Sequence, residues 1–114
     1  MSPQVPGYAI AQVRELDVNE AVVDYIGRVD ATLAPYDGRI LVHGGTMTEL
    51  EGTWDGDVVV IAFPSVGAAQ AWYDSPDYQA ILALRVDNSR SIAAIVEGVP
   101  AGYQAADRLA QLIG

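Results

Sequence analysis

The run Asp57-Val58-Val59-Val60-Ile61-Ala62-Phe63-Pro64-Ser65 decides the architecture. Its apolar block is too short for a typical helix and is rich in β-branched side chains. It therefore reads as a strand buried on both faces. Pro64 cannot continue a ladder, and Ser65 is a favoured N-cap, so a helix is expected directly after the strand. A strand without a polar side belongs in the middle of a sheet that is covered twice.

Beyond this strand, Val66, Ala69, Trp72 and Tyr73 recur at helical spacing until Asp74-Ser75-Pro76-Asp77 interrupts them. Ser75 suits an N-cap, and Pro76 suits a first helical position, where its missing N–H is not needed. Tyr78, Ile81, Leu82 and Arg85 then share one side of a second segment. The break is a helix, a cap, and another helix at a new angle. Ser91 to Glu97 reads as the last strand, with Ile92, Ala94 and Val96 alternating against Ala93, Ile95 and Glu97. Residues 100–114 are expected to form a tail with a short helix through Tyr103, Ala106, Leu109, Ala110 and Ile113.

Toward the N-terminus, Arg39 to His43 reads as a strand closed by Gly44-Gly45, with Thr46 to Leu50 as its continuation past a bulge. Glu51 to Gly56 is a turn carrying Trp54. Val22, Ile26, Val29, Leu33 and Tyr36 mark a helix. Asp17 and Glu20 have the spacing of a capping box at its start, and Gly38 is expected to supply the turn at its end. Tyr8 to Arg14 is the first strand, with Tyr8, Ile10, Gln12 and Arg14 on one face and Ala9, Ala11 and Val13 on the other. Residues 1–7, punctuated by Pro3, Pro6 and Gly7, read as a flexible leader before a domain spanning 8–99.

The order β-α-β-β-α-β is the ferredoxin-like split βαβ of the α+β class. Right-handed crossovers put both helical regions on one face of a four-stranded antiparallel sheet. The opposite face stays uncovered, yet its strands are apolar there too. Soluble monomers do not expose a surface of that kind. A second copy packed through a two-fold axis is the expected cover, making a homodimeric α/β barrel.

Composition narrows the partners. Among 114 residues, 51% are hydrophobic and the net charge is −9, with arginine as the only strong base. Nucleic acid and anionic lipid are both disfavoured by that charge. No cysteine is present, which removes disulfide, thiolate and iron–sulfur chemistry. One histidine without suitably spaced partners makes no zinc site, so neither metal nor cofactor is expected. No basic, apolar signal segment opens the chain and no run approaches the ~20 apolar residues of a membrane span, so a cytoplasmic location is expected.

Gly7-Tyr8, Gly38-Arg39, His43-Gly44-Gly45, Glu51-Gly52-Thr53-Trp54, Phe63-Pro64-Ser65, Trp72-Tyr73-Asp74-Ser75-Pro76-Asp77-Tyr78 and Val96-Glu97-Gly98-Val99 together carry a resemblance. The chain resembles the dimeric α/β-barrel superfamily, and within it a bacterial family of small stand-alone proteins labelled a domain of unknown function. The likeness covers about residues 7–99. It departs at His43, where such families commonly carry another basic residue. The superfamily includes cofactor-independent monooxygenases, lactone isomerases, polyketide cyclases, haem proteins and plain ligand binders, so the resemblance implies a fold and not one activity.

Candidate site residues follow from chemistry. His43 suits general acid–base work, against a plain reading as a polar strand end. Arg39, four positions earlier, is expected on the same strand face, where it would steady an anion or form a surface ion pair. Arg85 reads as a cap for helix carbonyls or a partner for an acid across the dimer. Trp72, Tyr73 and Tyr78 flank the helix break and would either line a pocket or fill core; Trp72 leans to core. Trp54, Tyr8 and Tyr25 are further ligand-binding candidates, and Trp54 is also suited to packing on another subunit. Three readings result: a binder of a small apolar or aromatic metabolite, a cofactor-independent monooxygenase or isomerase using His43, and a purely structural dimer module.

Overall fold

A computed structural model describes residues 5–113. Residues 1–4 of the expected leader lie outside the described residues, and Gly7 already belongs to a strand. The chain runs β1 (Gly7–Leu16), α1 (Glu20–Leu33), a 3-10 turn (Ala34–Tyr36), β2 (Arg39–His43), β3 (Asp57–Phe63), α2 (Val66–Asp74), α3 (Pro76–Val86), β4 (Ser89–Glu97), a second 3-10 turn (Ala105–Arg108) and α4 (Leu109–Ile113). The strands form one antiparallel sheet in the order β2-β3-β1-β4. This is the α+β, ferredoxin-like arrangement, with the apolar strand β3 in an inner position.

Register assigns the faces. Ala9 pairs with Ile61 and Ile95, and Ala11 with Val59 and Ala93, so these residues point toward the helices. Ile10 pairs with Val60 and Ala94 on the other face. There Ile10, Val42, Ile92 and Val96 remain 38%, 37%, 56% and 48% exposed. The core gathers where the helices meet β3, around Leu33, Phe63, Ala69, Trp72, Tyr78 and Ile81.

The helix break forms as its residues dictate. Ser65 Oγ accepts from the Ala68 N–H at 3.0 Å to start α2. Ser75, extended at ψ 146, accepts from the Tyr78 N–H at 3.2 Å and donates to the Trp72 carbonyl at 2.7 Å. One buried hydroxyl thus ends α2 and begins α3.

Elsewhere the structure corrects the sequence reading. Asn19 rather than Asp17 caps α1, its side-chain oxygen accepting from Val22 N–H at 3.1 Å. The Asp17 N–H is committed to the Asn88 carbonyl at 2.8 Å, which prolongs the pairing of β1 with the turn before β4. The left-handed residue after α1 is Asp37 (φ 55), not Gly38. Gly38 answers a different need, since a Cβ there would sit 2.8 Å from both Leu33 Cδ2 and Phe63 Cε1. Thr46 to Leu50 forms no strand. The ladder stops at Gly44 (φ 63), whose N–H reaches the Val58 carbonyl at 2.9 Å. The Glu49 carboxylate then holds the loop by accepting from the Trp54 N–H at 2.6 Å. The bulge falls inside β2, between Ile40 and Val42. The tail's helical part is shorter than expected, and Leu109, Leu112 and Ile113 are all exposed.

Candidate functional site: an aromatic cavity between sheet and helices

A cavity of about 600 Å³ lies between the helix-facing side of the sheet and the helices above it. The floor explains the space. Ala9, Ala11 and Ala93 carry only methyl groups there, while Ile26, Val29, Ile40, Val59 and Ile61 form taller apolar walls. Its size and lining fall in the range of small-molecule sites.

At one end three polar groups converge. Tyr78 and Arg85 are seven residues apart on α3, two turns along one face, and Tyr25 meets them from α1. The Tyr25 and Tyr78 hydroxyls lie 2.9 Å apart, and their rings meet edge to face with centroids at 6.2 Å. Arg85 Cζ stands 5.9 Å from the Tyr25 ring centroid, and its guanidinium donates to Ser91 Oγ at 2.8 Å. Burial, followed by the neighbouring Tyr78, pushes the Tyr25 phenol far up, so it stays protonated. For Arg85, burial alone works against the charge, but Tyr78 and Tyr25 together outweigh it and raise the pKa. The guanidinium remains a cation in a largely apolar chamber.

Trp72 and Tyr73 border the same chamber. The Trp72 ring packs against that of Tyr78 at a tilt of 38° with centroids 4.1 Å apart, and its Nε1–H donates to Thr32 Oγ1 at 2.9 Å. Trp72 is therefore core that contributes one surface to the cavity. Tyr73 is partly buried, 5.6 Å from the Tyr78 ring.

His43 lines the far rim beside Gly44 and Asp57 and is exposed. Its register partner is Val59, whereas Ser91, beside Arg85, sits opposite Val13 on the other edge of the sheet. Three inter-strand steps separate these backbone positions, roughly 15 Å. Arg39 does not join His43. It pairs with Ala62, an odd step from Val59, so the two side chains leave β2 on opposite faces. The extra residue of the bulge reverses the alternation that an even spacing predicts. Tyr8 and Trp54 also stand on the open face: Tyr8 packs near Pro6 and Gly98, and Trp54 shares a shallow groove with Ile10, Val58 and Ile92. Gln12 Nε2 holds that loop down by donating to the Asp55 carbonyl at 2.9 Å.

The structure thus brings together Tyr25, Trp72, Tyr73, Tyr78 and, at the rim, His43, and separates Arg39, Tyr8 and Trp54 from them. The sequence reading assigned Arg85 elsewhere. The available signal was its seven-residue spacing from Tyr78, which already placed both on one side of α3. Among the described residues no group of three or more His, Cys, Asp or Glu side chains gathers to hold a metal ion. No described helix is long and apolar enough to cross a membrane.

Residues 6–99 match the family model described as a domain of unknown function, DUF1330, and the chain belongs to that family. No curated protein matches it. Among solved structures, it is similar to a protein of unknown function from Rhodopseudomonas palustris, at 17% identity over 85% of each chain and a TM-score of 0.63. It is also similar to a dimeric ferredoxin-like protein of unknown function from Jannaschia sp. CCS1, at 12% identity over 80% of this chain and 97% of that one, TM-score 0.62. A third similar structure is SnoaB, a cofactor-independent oxygenase from Streptomyces nogalater, at 11% identity, covering 90% and 100%, TM-score 0.54. At these identities the likeness is one of fold.

Proposed function

We propose that the protein binds a small, largely apolar or aromatic metabolite in the cavity above the sheet, and that it does so as a homodimer closed over the open sheet face. The observation that carries this reading is the alanine-floored chamber of about 600 Å³, with Tyr25, Tyr78 and Arg85 converging at one end. The binding unit is residues 8–99, and residues 100–113 are an appended helical tail. A thermal-shift screen of aromatic acids, quinols and lactones at fixed salt tests it. A ligand present at 100 times its Kd should stabilise the fold by about 2.7 kcal/mol. Ala11→Leu, which fills the floor, should erase that shift while the protein stays folded. A blank screen on the unaltered protein would overturn the reading.

His43 at the rim of the same chamber supports a second reading, a cofactor-independent oxygenase or isomerase acting on the bound molecule. His43→Ala should then abolish turnover of any bound quinol or lactone and leave its binding intact. Turnover that survives the substitution would remove His43 from the chemistry.

A further inference from the structure

Arg85 is the unusual group in this chamber. The chain has fifteen acidic residues, yet among the described residues none pairs with Arg85. The ion pairs that do form, Arg28 with Asp24 and Arg90 with Glu15, lie on the exposed surface. The neighbours of the Arg85 guanidinium are neutral: Ser91 Oγ and the Tyr25 and Tyr78 hydroxyls. A partly buried cation among apolar walls is costly unless a counter-charge meets it.

The hydrogen inventory has the same sense. Two hydroxyl hydrogens are shared by Tyr25 and Tyr78, and one is spent on the 2.9 Å bond between them. The other hydroxyl hydrogen remains available to a ligand. Arg85 has five N–H donors in a planar fork, of which one goes to Ser91. This end of the cavity therefore offers donors and positive charge. The matching group is planar, anionic and acceptor-only, which describes a carboxylate.

We infer that the cavity selects a molecule with an aromatic or alicyclic body and a carboxylate, the carboxylate held by Arg85 and the Tyr25–Tyr78 hydroxyl pair. The apolar body then lies along Ala9, Ala11 and Ala93 toward His43. Asp57 at that rim repels a carboxylate entering the other way round, so orientation is set from both ends. The Tyr25 phenol, held protonated by burial, remains a donor throughout the physiological range. This inference rests on the proposed reading that the cavity binds a small molecule.

The test uses 2-naphthoate and its neutral isostere 2-naphthamide, titrated by calorimetry against the full chain at one salt concentration. The unaltered protein should bind the acid at least about tenfold more tightly than the amide, the scale of one charge-assisted hydrogen bond. Arg85→Met should erase the preference, lowering acid affinity to about that of the amide, while the amide weakens by less. Tyr25→Phe, which keeps the ring, should weaken the acid a few-fold and the amide by less, narrowing the preference, so the inference stays testable if Arg85→Met fails to fold. Equal binding of acid and amide by the unaltered protein would overturn the carboxylate selectivity while leaving the cavity reading in place. An acid preference that stays as large in either variant as in the unaltered protein would overturn the assignment to these residues. A failure of both probes, together with a blank ligand screen, would overturn both readings.

Discussion

Thr32 is a buried hydroxyl on α1 that serves two neighbours. It accepts from Trp72 Nε1–H at 2.9 Å and donates to the Val29 carbonyl at 2.6 Å. Thr32→Val nearly conserves the volume but leaves the indole N–H without an acceptor. The expected loss is about 1–3 kcal/mol, the cost of a buried polar group left unmade. Urea unfolding should show a lower midpoint at an unchanged slope, with Thr32→Ser restoring most of the difference. An unchanged midpoint for Thr32→Val would mean that the indole finds another acceptor. The inward position of Trp72 was legible from its helical spacing with Ala69. Its acceptor was not, because Thr32 lies 40 residues away in a different helix and no local pattern joins them.

At the scale of elements, Ser75 is the joint on which α3 is aimed. Removing its hydroxyl in Ser75→Ala unpairs the Tyr78 N–H and leaves the Trp72 carbonyl with only the Ser75 backbone N–H at 3.1 Å. A loss of about 1–2 kcal/mol is expected for the cap. Because Tyr78 and Arg85 both ride on α3, any ligand-induced thermal shift should shrink as well. A variant that loses stability but keeps the full ligand shift would show that α3 is oriented by packing instead. This joint was readable because a serine followed by proline has a strong local conformational preference. The bulge in β2 was not readable. It depends on how β2 meets β3, and one inserted residue was enough to send Arg39 to the face away from His43. The same limit applies to the first helix: Asp17 has acceptable capping chemistry, but its backbone is held by Asn88, and that contact passes the cap to Asn19. Arg85 illustrates the converse. Its helical face was evident, while what stood across from that face was not.

The whole molecule is more open than its length requires. Its radius of gyration is 16.0 Å, against about 13 Å for a compact domain of some 100 residues. The loop after β2 and the C-terminal tail account for apolar side chains that stand clear of the body, with Leu50 at 89% and Ile113 at 82% exposure. The uncovered sheet face adds Ile10, Val42, Ile92 and Val96. A second copy seated on that face would remove these groups from water and meet the loop bearing Trp54. Ile92→Glu tests this arrangement without touching the cavity, since Ile92 points to the open face and is 56% exposed in the single chain. A lone protomer tolerates glutamate there. In a two-fold dimer the substitution enters twice and buries two unpaired carboxylates, which costs several kcal/mol. Sedimentation at micromolar concentration should find the unaltered protein at twice 12.1 kDa and the variant at 12.1 kDa. The unaltered protein should also melt at a temperature that rises with concentration, and the variant should not. If both sediment at 12.1 kDa, the apolar face is not covered by a second copy, and the cavity must then be judged as the property of one chain alone.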